Sequence, residues 1–303
     1  MNKKAYIAVI VILALTTLFY WHRSREYSTT LRMIQVRIEE SKRTLDGERA
    51  LRESVEKKLE ERQKREAAVK AAAEEYVKRY AISKDGAKIA IVLDDWGYNQ
   101  KNLKSLLAIE APITLSVLPN LPYSRVIAEK AHAGGKEVIL HLPLEPHEAM
   151  PLENNTITSG MVDEEALENL NSAILSIPHL KGVSNHMGSK ATEDAKLMLV
   201  LLDEMKREGL YFLDSLVTTK SVCSDIADAA GVKFASRSVF LDNELDSEYI
   251  KEQIMETARQ ALQTGQAIGI GHDRAITIKA LAEMVPKLRE MGIEIVPVSE
   301  IVK

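Results

Sequence analysis

A single cysteine, Cys223, stands in 303 residues. No disulfide can form within the chain and no Cys-rich zinc site can be built, so any bound metal must be held by histidine and carboxylate. Charge of one sign is also missing. Forty Lys and Arg stand against 44 Asp and Glu, a formal net charge of -4, which leaves none of the basic excess usual in nucleic-acid binding. Proline is absent from residues 26–80, where the only glycine is Gly47. Nothing there stops a long helix. No G-x-G-x-x-G follows the first β-rich run, so a dinucleotide-binding fold has no local support. Long uncharged stretches are confined to one, Ala5 to Trp21.

What is present divides into three segments: 1–25, 26–85 and 86–303. The first carries the 17-residue run AYIAVIVILALTTLFYW behind Lys3 and Lys4. Seventeen residues is the lower limit for a spanning helix. The run ends in Phe19, Tyr20 and Trp21, aromatic-belt residues rather than the small residues of a cleavage site. The expectation is an uncleaved transmembrane signal anchor. The second segment is rich in Glu, Lys, Arg and Ala. Steps of three and four link Leu31, Ile34, Ile38, Leu45, Val55, Leu59, Val69 and Tyr76, with polar positions interrupting the seam. A helical spacer is expected, either a coiled coil or a solvated single helix. Fifty such residues would reach about 75 Å. Ser83-Lys84-Asp85-Gly86 reads as the linker.

The third segment is long enough to bury a sizeable core. Its β-rich runs are 88–93, 113–118, 137–142, around 182–187, 210–214, 233–240, 266–271 and 293–298, with helical stretches between them. Alternation of this kind implies parallel strands and right-handed crossovers. Continuous apolar runs such as IAIVL imply strands covered on both faces. The expected class is α/β, an irregular (β/α) barrel of seven or eight parallel strands.

Chemistry in such barrels sits at the C-terminal ends of strands. The first run ends in Asp94-Asp95 and the third in His141, followed by Glu145 and His147. The fourth ends in Asn185-His186, the fifth in Asp214-Ser215, and the seventh in His272-Asp273-Arg274. The sixth contains Arg237. Each of these taken alone fits a helix cap or a satisfied core residue. Capping does not explain why four of seven histidines fall at or after strand ends. The collection suits a divalent metal with an open position for water. Trp96, Tyr98 and Tyr123 lie on the expected rim, where aromatic faces can stack on sugar rings.

The stretches IAIVLDDWGYN (89–99), ILHLPLEP (139–146), GVSNHMGSKAT (182–192), YFLDS (211–215) and AIGIGHDR (267–274) resemble, in order, the divergent polysaccharide deacetylases, distant relatives of NodB-type carbohydrate esterases. The resemblance implies a NodB-like barrel over 86–303 that removes N-acetyl groups from a cell-envelope polysaccharide with a divalent metal, zinc being expected. It implies Asp94 as base, Asp95 and His141 as metal ligands, and His272 as general acid. NodB enzymes carry a second histidine four residues after the first. Here that position is Glu145, so either Glu145 or His186 completes the ligand set. The family's Arg-Pro-Pro-Tyr stretch has no counterpart, and Asn185 or a backbone N–H near Gly188 is the expected substitute. Asn185, Asp214 and Trp96 are the expected substrate contacts, and Asp273 or Arg274 the expected partner of His272. The altered motifs leave a second reading, a non-catalytic glycan-binding or scaffold protein on a degenerate deacetylase fold. The implied substrate places the domain in the periplasm or outside the cell, tethered to a bacterial inner membrane. Expected partners are the glycan, that membrane and a second copy through the coiled coil, with no nucleic acid.

Overall fold

The computed structural model of the protein describes residues 3–79 and 86–303. Most of the predicted linker, 83–85, lies outside them. The chain divides into two compact units, Met1–Ala72 and Ala73–Lys303.

One helix, α1 (Lys3–Arg79), runs through both the uncharged stretch and the charged one. Strong helix formers dominate it, and the roughly 1 kcal/mol cost of one interior glycine, Gly47, does not break it. Leu31, Ile38, Leu45, Val55 and Leu59 on its seam are all exposed. Among the described residues no helix is long and apolar enough to cross a membrane. The predicted anchor falls partly on residues 5–9 and 11, whose side chains lie outside the described set.

The second unit is built on one parallel sheet. Its strands are β1 (Lys88–Trp96), β2 (Thr114–Val117), β3 (Glu137–Leu144), β4 (Leu180–Met187), β5 (Tyr211–Asp214), β6 (Phe234–Ser236), β7 (Val239–Phe240), β8 (Gln266–His272) and β9 (Glu294–Ile295). The helices between them are α2 (Leu103–Leu107), α3 (Ser124–Ala133), α4 (Asp163–Ser176), α5 (Ala195–Arg207), α6 (Cys223–Ala230), α7 (Ser247–Thr264) and α8 (Ala275–Glu290). The order across the sheet is β6-β5-β4-β3-β2-β1-β8-β7, with β9 paired to the start of β1. This is a curled, incompletely closed α/β barrel.

The predicted strand at 233–240 is divided. Its first half pairs with β5 and its second with β8. The backbone N–H of Arg237 bonds Asp214 and that of Ser238 bonds Ile268, both at 2.9 Å. One short run therefore links the two ends of the sheet without a ladder between them. The last predicted strand, 293–298, shrinks to two residues because Val298–Glu300 turns into a 3-10 helix.

Residues Ile89 through Leu93 are fully buried, as a strand covered on both faces requires. Ala90, Val92, Ile139, Leu213, Ile268 and Ile270 pack into one cluster inside the curl. Side chains two apart on a strand share a face. Asp94 follows Val92 by two, His141 follows Ile139, and His272 follows Ile270. The polar residues are the next inward layer above an apolar core.

Candidate metal centre

Three side chains meet at the C-terminal end of the sheet. Asp95 Oδ1 lies 3.3 Å from His141 Nε2 and 3.2 Å from His186 Nδ1. The two imidazole nitrogens are 3.2 Å apart. Adjacent aspartates on a regular strand would face opposite ways. Here Asp95 has φ +65 and the β1–β2 register shifts between Leu93 and Trp96. That left-handed residue breaks the alternation, so Asp94 and Asp95 both address the site. Such a conformation in a non-glycine residue costs about 1–2 kcal/mol, and backbone strain of this kind concentrates at functional sites.

The three atoms fit one divalent ion. Tetrahedral bonds of about 2.0–2.1 Å put ligand atoms roughly 3.3–3.4 Å apart, close to the triangle observed. Asp95 Oδ1 is buried and, among the described residues, receives no well-aligned hydrogen bond despite the two nearby ring nitrogens, an arrangement a cation would relieve. Burial works to raise the Asp95 pKa, but His141 and His186 outweigh it and hold the carboxyl far below its usual range. His141 Nδ1 meets Ser184 Oγ at 2.9 Å, and that hydroxyl lies 2.7 Å from Ser116 Oγ. This buried chain fixes the ring so that Nε2 faces the cluster, as outer-shell partners of metal-binding histidines do.

Asp94 and His272 flank the cluster. Asp94 Oδ2 is 3.8 Å from His141 Nε2, and its buried Oδ1 has no partner. Burial raises the Asp94 pKa; His141 opposes the rise and Asp95 adds to it. His272 stands beside Asp94 in the β1–β8 register, its Nε2 3.9 Å from Asp95 Oδ2. Its Nδ1 lies 2.8 Å from Oδ1 of the fully buried Asp242. Burial alone would lower the His272 pKa, but the hydrogen bond and charge of Asp242 outweigh it and raise the value. Asp242 Oδ2 accepts from Thr277 Oγ1 and from the His272 backbone N–H.

Several expected site residues are committed elsewhere. Glu145 is not in the cluster: Oε1 pairs with Lys190 Nζ at 2.8 Å, and Oε2 accepts from the N–H and hydroxyl of Ser159. His186 supplies the nitrogen instead. Trp96 is fully buried in the core and presents no face to a sugar. Asn185 spans the ends of β4 and β5, accepting from Ser215 N at 2.8 Å and donating to Met187 O at 2.7 Å. Asp214 holds the loop after β5, accepting from Leu216 N and Ser221 Oγ. Both are buried structural ties rather than open substrate contacts. Asp273 accepts from Asn102 and Arg274 donates to the Asp242 carbonyl, so neither orients His272 directly. His147 pairs with Glu193 away from the cluster. Tyr98 and Tyr123 are exposed, and the Tyr98 hydroxyl bonds Glu153. Asp242, Ser184 and Ser116 were missed. Asp242 does follow the apolar pair Val239-Phe240 closely, the signal that marked the other strand ends.

Fold and site together define an α/β barrel with an Asp–His–His cluster suited to a metal at its C-terminal rim. The chain belongs to the divergent polysaccharide deacetylase family, whose sequence pattern matches residues 91–302. It is 38% identical over 201 residues to the uncharacterized protein YibQ of Escherichia coli (strain K12), covering 66% of this chain and 63% of that relative. An uncharacterized protein of Haemophilus influenzae is 34% identical over 195 residues, 64% of this chain and 70% of the relative. The crystal structure of the uncharacterized protein ATU2773 from Agrobacterium tumefaciens C58 superposes with a TM-score of 0.70 at 25% identity, covering 75% of this chain and 95% of that one.

Proposed function

We propose that the protein is a metal-dependent hydrolase that removes N-acetyl groups from a cell-envelope polysaccharide. The observation that carries the reading is the Asp95–His141–His186 triangle with Asp94 and His272 on either side. Asp95, His141 and His186 would hold the ion, for which zinc suits the donor set and spacing. When bound, it would polarise the acetamide carbonyl and make water more acidic.

The chain's own groups supply the proton transfers. The unpaired Asp94 Oδ1 accepts a proton from water as its oxygen attacks the carbonyl carbon. His272, its pKa raised by Asp242 against the effect of burial, donates a proton to the nitrogen as the C–N bond breaks. Water and acetamide thus yield acetate and a free amine. Tethering to an inner membrane, with the domain in the periplasm or outside the cell, is part of the proposal and rests on the uncharged run Ala5–Trp21 alone.

The test is acetate release by zinc-loaded full-length protein from N-acetylated chito-oligosaccharides and peptidoglycan fragments. Release that disappears in Asp94→Asn is expected. No acetate from any glycan, with zinc bound, would overturn the reading.

A further inference from the structure

A concavity of about 310 Å³ opens at the other end of the barrel from the Asp95–His141–His186 cluster. Its walls come from the N-terminal ends of β4, β5 and β6 and from the turns after α5 and α6. Lys181 lies on β4 five residues before His186, about 16 Å along the strand. The cavity is therefore remote from the metal centre.

Three lysines line it: Lys181, Lys206 and Lys233. No lining residue is acidic, and none of the three ammonium groups has a carboxylate within 4 Å among the described residues. Lys206 Nζ donates to Ala230 O at 2.5 Å, satisfying a carbonyl at the end of α6. That uses one of its three N–H groups. Among the described residues, Lys181 and Lys233 have no side-chain hydrogen-bond or ion-pair partner. Two lining residues, Tyr211 and Ser299, contact the Glu137 carboxylate. Its Oε1 already accepts from Tyr211 Oη, Thr114 Oγ1 and Ser299 N. Three lysines thus gather around a concavity with no acidic lining residue, in a chain whose acidic residues outnumber its basic ones. Like charges around one concavity repel and raise the local potential, which an anion lowers.

The rest of the lining includes Ser299, Val302 and the edges of the buried Leu210, Tyr211 and Val232. The Tyr211 ring lies against Gly182 so closely that any side chain there would collide with it. Gly231 leaves room for the Lys206 ammonium, 3.1 Å from where its Cβ would stand. Val232 and Val302 complete the apolar side. A cavity with cationic and apolar walls fits an anion carrying an organic group.

We infer that this cavity binds an organic phosphate through Lys181, Lys206 and Lys233, independently of the metal centre. Calorimetric titration of the full-length protein with inorganic phosphate and with phenyl phosphate tests it. Saturable one-to-one binding is expected, tighter for phenyl phosphate because Val302 and the lysine stems offer apolar surface beside the ammonium groups. The double variant Lys181→Gln, Lys233→Gln should weaken both by roughly tenfold or more, with an unchanged melting temperature and unchanged zinc uptake. Phosphatidylglycerol vesicles that displace phenyl phosphate would identify a lipid headgroup as the source; vesicles that do not would identify a soluble phosphate. No saturable binding of either phosphate, or binding indifferent to the double variant, overturns the inference. Zinc uptake and acetate release are read separately, so either proposal can fail without the other.

Discussion

Asp95 shows how one backbone angle makes a site. Its positive φ turns a carboxylate that alternation would send outward onto two histidines. In the proposed metal site, losing it removes a direct ligand. Asp95→Asn or His186→Ala should lower zinc affinity by more than the roughly 10–100-fold typical of outer-shell partners. Glu145→Gln should leave zinc affinity unchanged, because Glu145 serves Lys190 and Ser159. Calorimetry with zinc separates the two outcomes. His272 makes a prediction about pH. Its acid role needs the proton, so the rate falls as pH rises through its raised pKa. The base role of Asp94 needs the ionised form, so the rate falls as pH drops through the Asp94 value, itself raised by burial. A plot of kcat/KM against pH should be bell-shaped. Asp242→Asn removes the charge that raises His272, so the alkaline limb should move to lower pH while the acid limb stays.

At the scale of elements, strand ends were legible because apolar runs stop where the barrel's core stops. Asp94, His141, His186 and His272 all fall at such ends. The same rule pointed wrongly at Asn185, Asp214 and Trp96. Asn185 and Asp214 tie loops together, and Trp96 turns inward; a strand-end position alone does not distinguish a group facing the cleft from one closing the turn beneath it. Trp96 provides the check. As a fully buried core residue, its replacement by alanine should cost about 3–5 kcal/mol. Urea denaturation would measure this. An exposed sugar platform would lose affinity and almost no stability.

For the whole molecule, the N-terminal helix and the barrel pose different questions. The uncharged run ahead of the charged spacer predicts that the full-length protein stays with membranes through a carbonate wash. Deleting residues 1–25 should release it. The spacer's exposed leucines predict a second strand from another copy, so sedimentation of the protein lacking residues 1–25 should report a dimer. A monomer would leave the spacer as a solvated single helix.

Continuous apolar runs and their alternation with helical stretches are local signals. From them the chain's own order of residues was enough for a parallel α/β barrel, for its approximate strand ends, and for a candidate metal site of histidine and carboxylate rather than cysteine. Which carboxylates and histidines converge is not a local property. It depends on register between strands far apart in the chain, on one left-handed residue, and on which polar groups the turns consume. Those long-range contacts put His186 in the cluster and Glu145 outside it, and set the unannounced Asp242 behind His272.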